Sequence, residues 1–211
     1  MSLVDSRISF RSDLHQFPKN AIGSLAGLIN PSVSRSRDTL IIACSELGTA
    51  PDCLSFGNRD RFLILQHLAA SMPSKTDCES DERLSLKEVR RLFDKHDFRH
   101  LIVCGHLGSG VIRYWLQPAP AGVADTCGLR SRFENGTRRL VDNNYSPGST
   151  SERLELLIFE HVLCQIENLL THPFLIERVR MGKTSLYGWV IDDESARIYG
   201  YRPDESAFVI I

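Results

Sequence analysis

Two unbroken apolar runs constrain this chain more than any other feature. Thr39-Leu-Ile-Ile-Ala-Cys44 and His100-Leu-Ile-Val-Cys104 are short, rich in β-branched residues and free of polar alternation. Such a run reads as a strand buried on both faces, which means a parallel sheet covered by helices. The second run passes at once into Gly105-His-Leu-Gly-Ser-Gly110, and Val111–Leu116 then reads as a helix start. Leu86, Val89, Leu92 and Phe93 fall at helical spacing, so Leu84–Lys95 is expected to be an amphipathic helix leading into the second strand. Helix, strand, glycine turn and helix in that order predict an α/β fold with a mainly parallel central sheet flanked by helices.

The remaining segments extend this plan. Residues 1–37 read as an N-terminal arm with a helix around Ala21–Ile29, stopped by Pro31, and residues 38–211 as the α/β domain. Residues 117–150 hold Pro118, Pro120, Gly122, Gly128, Gly136, Pro147 and Gly148, which predicts irregular connection with some helix. Ser149 and Glu152 form a capping-box pair, and Leu154, Leu157, Ile158, Val162, Ile166 and Leu169 mark one face of a long helix. Pro173 starts a shorter helix that ends near Gly182. Ser185–Ile191 and Ala196–Tyr201 flank Asp192-Asp193-Glu194-Ser195 as a C-terminal hairpin, and Phe208–Ile211 reads as an edge strand.

Charge and apolar content narrow the partners. With 25 basic and 26 acidic side chains the net charge is −1, which argues against a nucleic-acid partner. No stretch is apolar enough to span a bilayer, and Met1–Asn20 lacks a signal-like apolar core, so a cytoplasmic protein without a membrane partner is expected. The six cysteines lie far apart with no Cys-x-x-Cys pair and read as thiols.

Chemistry-bearing residues gather at the ends of the two runs: Cys44-Ser45-Glu46-Leu47-Gly48 after the first, and Cys104-Gly105-His106-Leu107-Gly108-Ser109-Gly110 after the second. In an open parallel sheet, ligands collect at the carboxyl ends of the strands. Cys44 and His106 at two such ends are able to converge on one ion. Each also fits a plainer role: Cys44 as a buried thiol, His106 as a hydrogen-bonded strand-end histidine, and Glu46 as a carboxylate facing a helix N-terminus or Arg59. Ser109 fails the nucleophile-elbow pattern, because Leu107 is not glycine and Val111 fills the last position. The backbone N–H groups of Gly108, Ser109 and Gly110 are expected to offer an anion site.

These strand ends resemble the β-class carbonic anhydrases, which carry Cys-x-Asp-x-Arg after one core strand and His-x-x-Cys after the next. The C-terminal third is similar too. His161-Val-Leu-Cys-Gln-Ile-Glu-Asn-Leu-Leu resembles that family's Asn-Val-x-x-Gln helix, and Gly182 through Asp193 resembles its Gly-x-x-x-x-x-Gly-Trp-x-Tyr-Asp strand. The resemblance implies zinc ligands at Cys44 and His106 and a homodimer or multiple of dimers, with bicarbonate as a candidate small anion. It also exposes departures. Ser109 stands at the second thiolate, Glu46 at the dyad acid and Gly48 at the dyad arginine. A neutral hydroxyl is a poor zinc donor beside a thiolate, and glycine cannot orient an acid. The expectation is therefore a carbonic-anhydrase-like scaffold that has lost CO2 hydration. The alternative is a zinc-dependent carbonic anhydrase or related small-molecule hydrolase with a rearranged metal shell, in which Glu46 or Cys104 replaces the missing ligand.

Overall fold

The structure is a computed structural model and describes residues 14–24, 28, 37–47, 59–78, 84–118, 125 and 128–211. The two apolar runs lie side by side at its centre. β1 (Thr39–Cys44) is buried along its whole length, and β3 (His100–His106) is buried from its second residue onward. Between them in the chain come β2 (Phe62–His67) and α1 (Leu84–Lys95). After β3 follow α2 (Gly110–Trp115), α3 (Leu129–Phe133), a π-helical turn (Glu134–Arg138), α4 (Arg139–Asn144), α5 (Thr150–Leu170) and α6 (Pro173–Arg180). The chain closes with β4 (Ser185–Ile191), β5 (Ile198–Arg202) and β6 (Ala207–Ile210). Spatial order is β2-β1-β3-β4-β5-β6. β2, β1, β3 and β4 pair in parallel, whereas the β4–β5 and β5–β6 pairings are antiparallel. This is the expected α/β architecture with its C-terminal hairpin and edge strand. Among the described residues no helix is long and apolar enough to cross a membrane.

Three segments differ from the sequence reading. β2 was not expected; it pairs in register with β1 from Thr39↔Phe62 to Cys44↔His67. The helix expected from Ala21 does not start there. Ile22 forms a parallel bridge to Leu186, and Gly23 N–H donates to Leu186 O at 2.9 Å, so this stretch runs along β4; Leu28 is helical. Most of the rest of the expected arm lies outside the described residues. Within 117–150, helix is more extensive than the proline and glycine content suggested: it runs from Leu129 to Asn144, and Gly136 is accommodated in the π turn facing open space.

α5 covers one face of the sheet. Ser149 caps it by accepting from Glu152 N–H at 3.1 Å, while the Glu152 carboxylate reaches back to Gly148 N–H at 2.6 Å. Leu157, Ile158, Val162, Leu163 and Ile166 are buried against the strands, each contributing about 1.5–3 kcal/mol of transfer free energy. The helix comes this close because Gly188 has no side chain: a Cβ there would lie 3.2 Å from both Ile166 Cδ1 and Val162 Cγ1.

α5 also carries Glu160, which has no solvent exposure. His15 Nε2 lies 2.5 Å from Glu160 Oε2, His15 Nδ1 lies 3.1 Å from Glu167 Oε1, and Tyr145 donates its hydroxyl to Glu160 Oε1. A buried carboxylate needs such partners. Burial by itself would lower the His15 pKa, but the hydrogen bonds to Glu160 and Glu167 and their charges outweigh it and raise it to about 9. A histidine pKa raised on folding adds stability that is complete below the unfolded value of about 6.5 and is lost as pH rises through the folded value. The gap in urea midpoint between the native chain and His15→Ala is therefore expected to be widest at pH 6 and to shrink steadily towards pH 9.5. A gap independent of pH would remove the ion pair from the account.

Candidate metal centre

Parallel pairing of β1 with β3 sets Ala43 beside Cys104, so Cys44 and His106 emerge at the same end of the sheet. Both are buried. Glu46 follows two residues after Cys44 in the turn beyond β1 and is exposed. Its Oε2 lies 3.9 Å from Cys44 Sγ and 3.7 Å from His106 Nε2. One donor atom from each of the three lies within 4.8 Å of the others, and among the described residues no other such group of acids, thiols and imidazoles occurs.

Glu46 is held in place by the start of α2. Val111 N–H donates to its Oε2 at 3.0 Å and the Ser109 hydroxyl donates to the same oxygen at 3.2 Å. This matches the helix-terminus role considered for Glu46 and leaves the carboxylate anchored. Ser109 is itself the cap of α2, accepting from Ile112 N–H at 3.3 Å. Its one proton and its acceptor capacity towards the helix are thus both used within the protein.

A fourth side chain, Asp193, stands in the sequence reading as part of the hairpin turn and as the last residue of the family-like strand segment, with no role at the site. Its Oδ2 lies 2.8 Å from His106 Nδ1 and accepts from Gly108 N–H at 2.7 Å. The signal available in the sequence was an extra acid beside Asp192 at the end of a strand neighbouring β3. The glycine loop expected to bind an anion therefore carries protein carboxylates instead: Asp193 on Gly108 N–H, and Glu46 on Val111 N–H beside Gly110. The Ser109 N–H points back to His106 O at 3.3 Å. A free anion would meet two negative charges there. Cys104, considered as a substitute ligand, turns away; its Sγ is directed to Gly105 O at 3.6 Å, in the second buried cluster with Ile102 and Trp189. Gly48 lies outside the described residues.

The donor set fits a divalent transition metal. His106 Nε2 is buried without a hydrogen-bond partner, the state expected of an atom meant for an ion. Tetrahedral zinc with ordinary bond lengths separates a sulfur and an oxygen donor by about 3.6 Å, and a nitrogen and an oxygen donor by about 3.4 Å. The separations of 3.9 and 3.7 Å need only a few tenths of an ångström of contraction. Burial would lower the His106 pKa, yet the neighbouring Cys44 and Asp193 side chains and their charges outweigh it and raise it to about 9.

Residues 75–198 match the family model described as carbonic anhydrase. The fold matches the β-carbonic anhydrase CcaA with a TM-score of 0.72 at 23% identity, covering 85% of this chain and 86% of that one. The chain belongs to the β-class carbonic anhydrase family. A second fold match is the β-carbonic anhydrase CafD of Aspergillus fumigatus, with a TM-score of 0.62 at 21% identity over 84% of this chain and 96% of that one. Among sequences, the carbonic anhydrase of Synechococcus elongatus is 27% identical over 93% of this chain and 69% of its own length. That of Pseudomonas aeruginosa is 22% identical over 93% of this chain and 84% of its own length.

The capping geometry gives a direct test that needs no metal. Ser109→Ala removes the α2 cap and the Ser109 hydrogen bond on Glu46, and is expected to cost about 1 kcal/mol in urea unfolding. An unchanged midpoint would show that the cap contributes nothing.

Proposed function

We propose that this carbonic anhydrase homologue no longer hydrates CO2 rapidly, and that its centre is a cation site formed by Cys44, His106 and Glu46. Zinc is then held less tightly than by two thiolates and an imidazole. The observation that carries this reading is the anchoring of Glu46. Its Oε2 stands beside Cys44 and His106 while bound to Val111 N–H and the Ser109 hydroxyl, so the residue at the dyad position serves as the third donor.

When bound, zinc supplies a Lewis acid that lowers the pKa of a coordinated water to about 7. The chain's own residues would do the following. Cys44 and Glu46 would bring two negative charges and His106 a neutral nitrogen, which together balance a divalent ion. Exchanging a soft thiolate for a carboxylate weakens the preference for zinc. A Glu46 engaged as ligand is no longer a separate acceptor poised beside the water position, and Gly48 has no side chain with which to orient an acid. Ser109 supports Glu46 and α2.

The second reading, a zinc hydratase with a rearranged shell, draws on the same donor spacing and is separated from the first by one pair of measurements: metal content and stopped-flow CO2 hydration of the purified chain. The expected result is substoichiometric zinc and no hydration above background. Ser109→Cys alone is expected to raise zinc occupancy, whereas hydration should need Glu46→Asp and Gly48→Arg as well. One tightly held zinc per unmodified chain together with rapid hydration would overturn the proposal in favour of the second reading.

We further propose assembly as a homodimer or a multiple of dimers, in line with symmetric pairing as the commonest oligomeric form. One fold neighbour, with a TM-score of 0.63 at 17% identity, is described as a tetrameric β-carbonic anhydrase of Sordaria macrospora. Light scattering at micromolar concentration is expected to give at least twice the 23.8 kDa chain mass, and a monomer mass would refute it.

A further inference from the structure

We infer that Asp193 is a positioning residue for this centre: it holds His106 through Nδ1 so that Nε2 is the atom presented to Cys44 and Glu46. The inference rests on the reading of the centre as a cation site. A neutral imidazole carries one ring proton, and whichever nitrogen holds it is lost as a metal donor. His106 has proton acceptors on both edges. Asp193 Oδ2 lies 2.8 Å from Nδ1, while the Glu46 carboxylate lies 3.7 Å from Nε2, with the Cys44 thiol in the same group. The shorter contact with Asp193 keeps the neutral ring's proton on Nδ1, and a carboxylate on the far nitrogen of a ligating histidine also raises its basicity and fixes the ring plane.

The surrounding chain is built to deliver this carboxylate. Asp192 shapes the turn, accepting from Glu194 N–H at 3.0 Å and from the Ser195 hydroxyl, and Asp192 N–H donates to Arg197 O at 2.9 Å. Asp193, relieved of turn-making, reaches across to β3. Leu107 N–H donates to Ile191 O at 2.8 Å, which draws the two strand ends together beyond the ladder. Gly108 is the counterpart: a Cβ there would lie 2.6 Å from Asp193 Oδ2, so only glycine allows the carboxylate to take both the ring nitrogen and the Gly108 N–H. One oxygen thereby ties the ligand and the loop that supports Glu46 into a single unit.

The test uses the full chain. Zinc affinity is measured by competition with a chromophoric chelator for the native protein, Asp193→Asn and Asp193→Ala. The Asn variant keeps an acceptor oxygen and loses the charge. Asp193→Ala is expected to weaken zinc binding about 10–100-fold and Asp193→Asn about tenfold at most. Urea midpoints of all three show whether the fold is kept. Ring 15N shifts of His106 are recorded in parallel on metal-free protein titrated until the ring is neutral. The native protein is expected to carry the proton on Nδ1, and Asp193→Ala to move it towards Nε2. Equal zinc affinity in the native and Ala proteins, or an Nε2–H ring in the native one, overturns the assignment. If the native chain takes up no zinc, the cation-site reading fails, and the 15N shifts alone then decide the role of Asp193.

Discussion

The parallel register of β1 against β3 is the constraint on which the site depends. Cys44 and His106 belong to strands separated by more than fifty residues of chain, and they meet because Ala43 is paired with Cys104 and not with a neighbour. Side chains alternate across a strand, so a slip of one residue would carry Cys44 to the opposite face and break the group of three donors. The register is held from several sides. Both strands are apolar runs, buried throughout in β1 and from Leu101 onward in β3, α5 presses on one face through the gap at Gly188, and Ile22 and Gly23 bond to Leu186 on the strand beyond β3. A site made of a few polar atoms is thus located by a far larger apolar contact.

The electrostatics of the site follow from the acids that converge on it. Glu46, Asp193 and the Cys44 thiol surround one imidazole, and the N–H groups of Gly108 and Val111 are given to the two carboxylates. Such a place favours positive charge and disfavours a free anion. It also rests on mutual support: Ser109 holds Glu46 and caps α2, while Asp193 holds His106 and the Gly108 turn.

Much of this was legible in the residues. The two central strands, α1, the capped α5, the C-terminal hairpin and the positions of Cys44 and His106 all announce themselves through unbroken β-branched runs, helical spacing and turn residues. β2 did not, because Phe62–His67 is an edge strand of intermediate burial whose apolar stretch merges into Arg59–Arg61 and Leu68 without turn punctuation. The segment from Ala21 misled because small apolar residues satisfy helix spacing equally well, and only contact with Leu186 selects the extended form. Asp193 escaped notice for a different reason. A short polar side chain in a turn normally bonds its own backbone, as Asp192 does, and nothing local distinguishes the neighbour that reaches to another strand.

The clamp between His15 and Glu160 has a bearing on how the molecule is assembled in time. The partners are 145 residues apart, and loop closure over such a span carries an entropic cost that near neighbours on a helix never meet. α5 is able to form early from its own cap and spacing, but its buried acid has no base until the distant segment arrives, and the Ile22–Leu186 bridge spans a similar separation. Docking of residues 14–24 is thus expected among the late events of folding. Contacts made this late are weakly developed in the transition state, so they govern how long the finished protein resists unfolding more than how fast it forms.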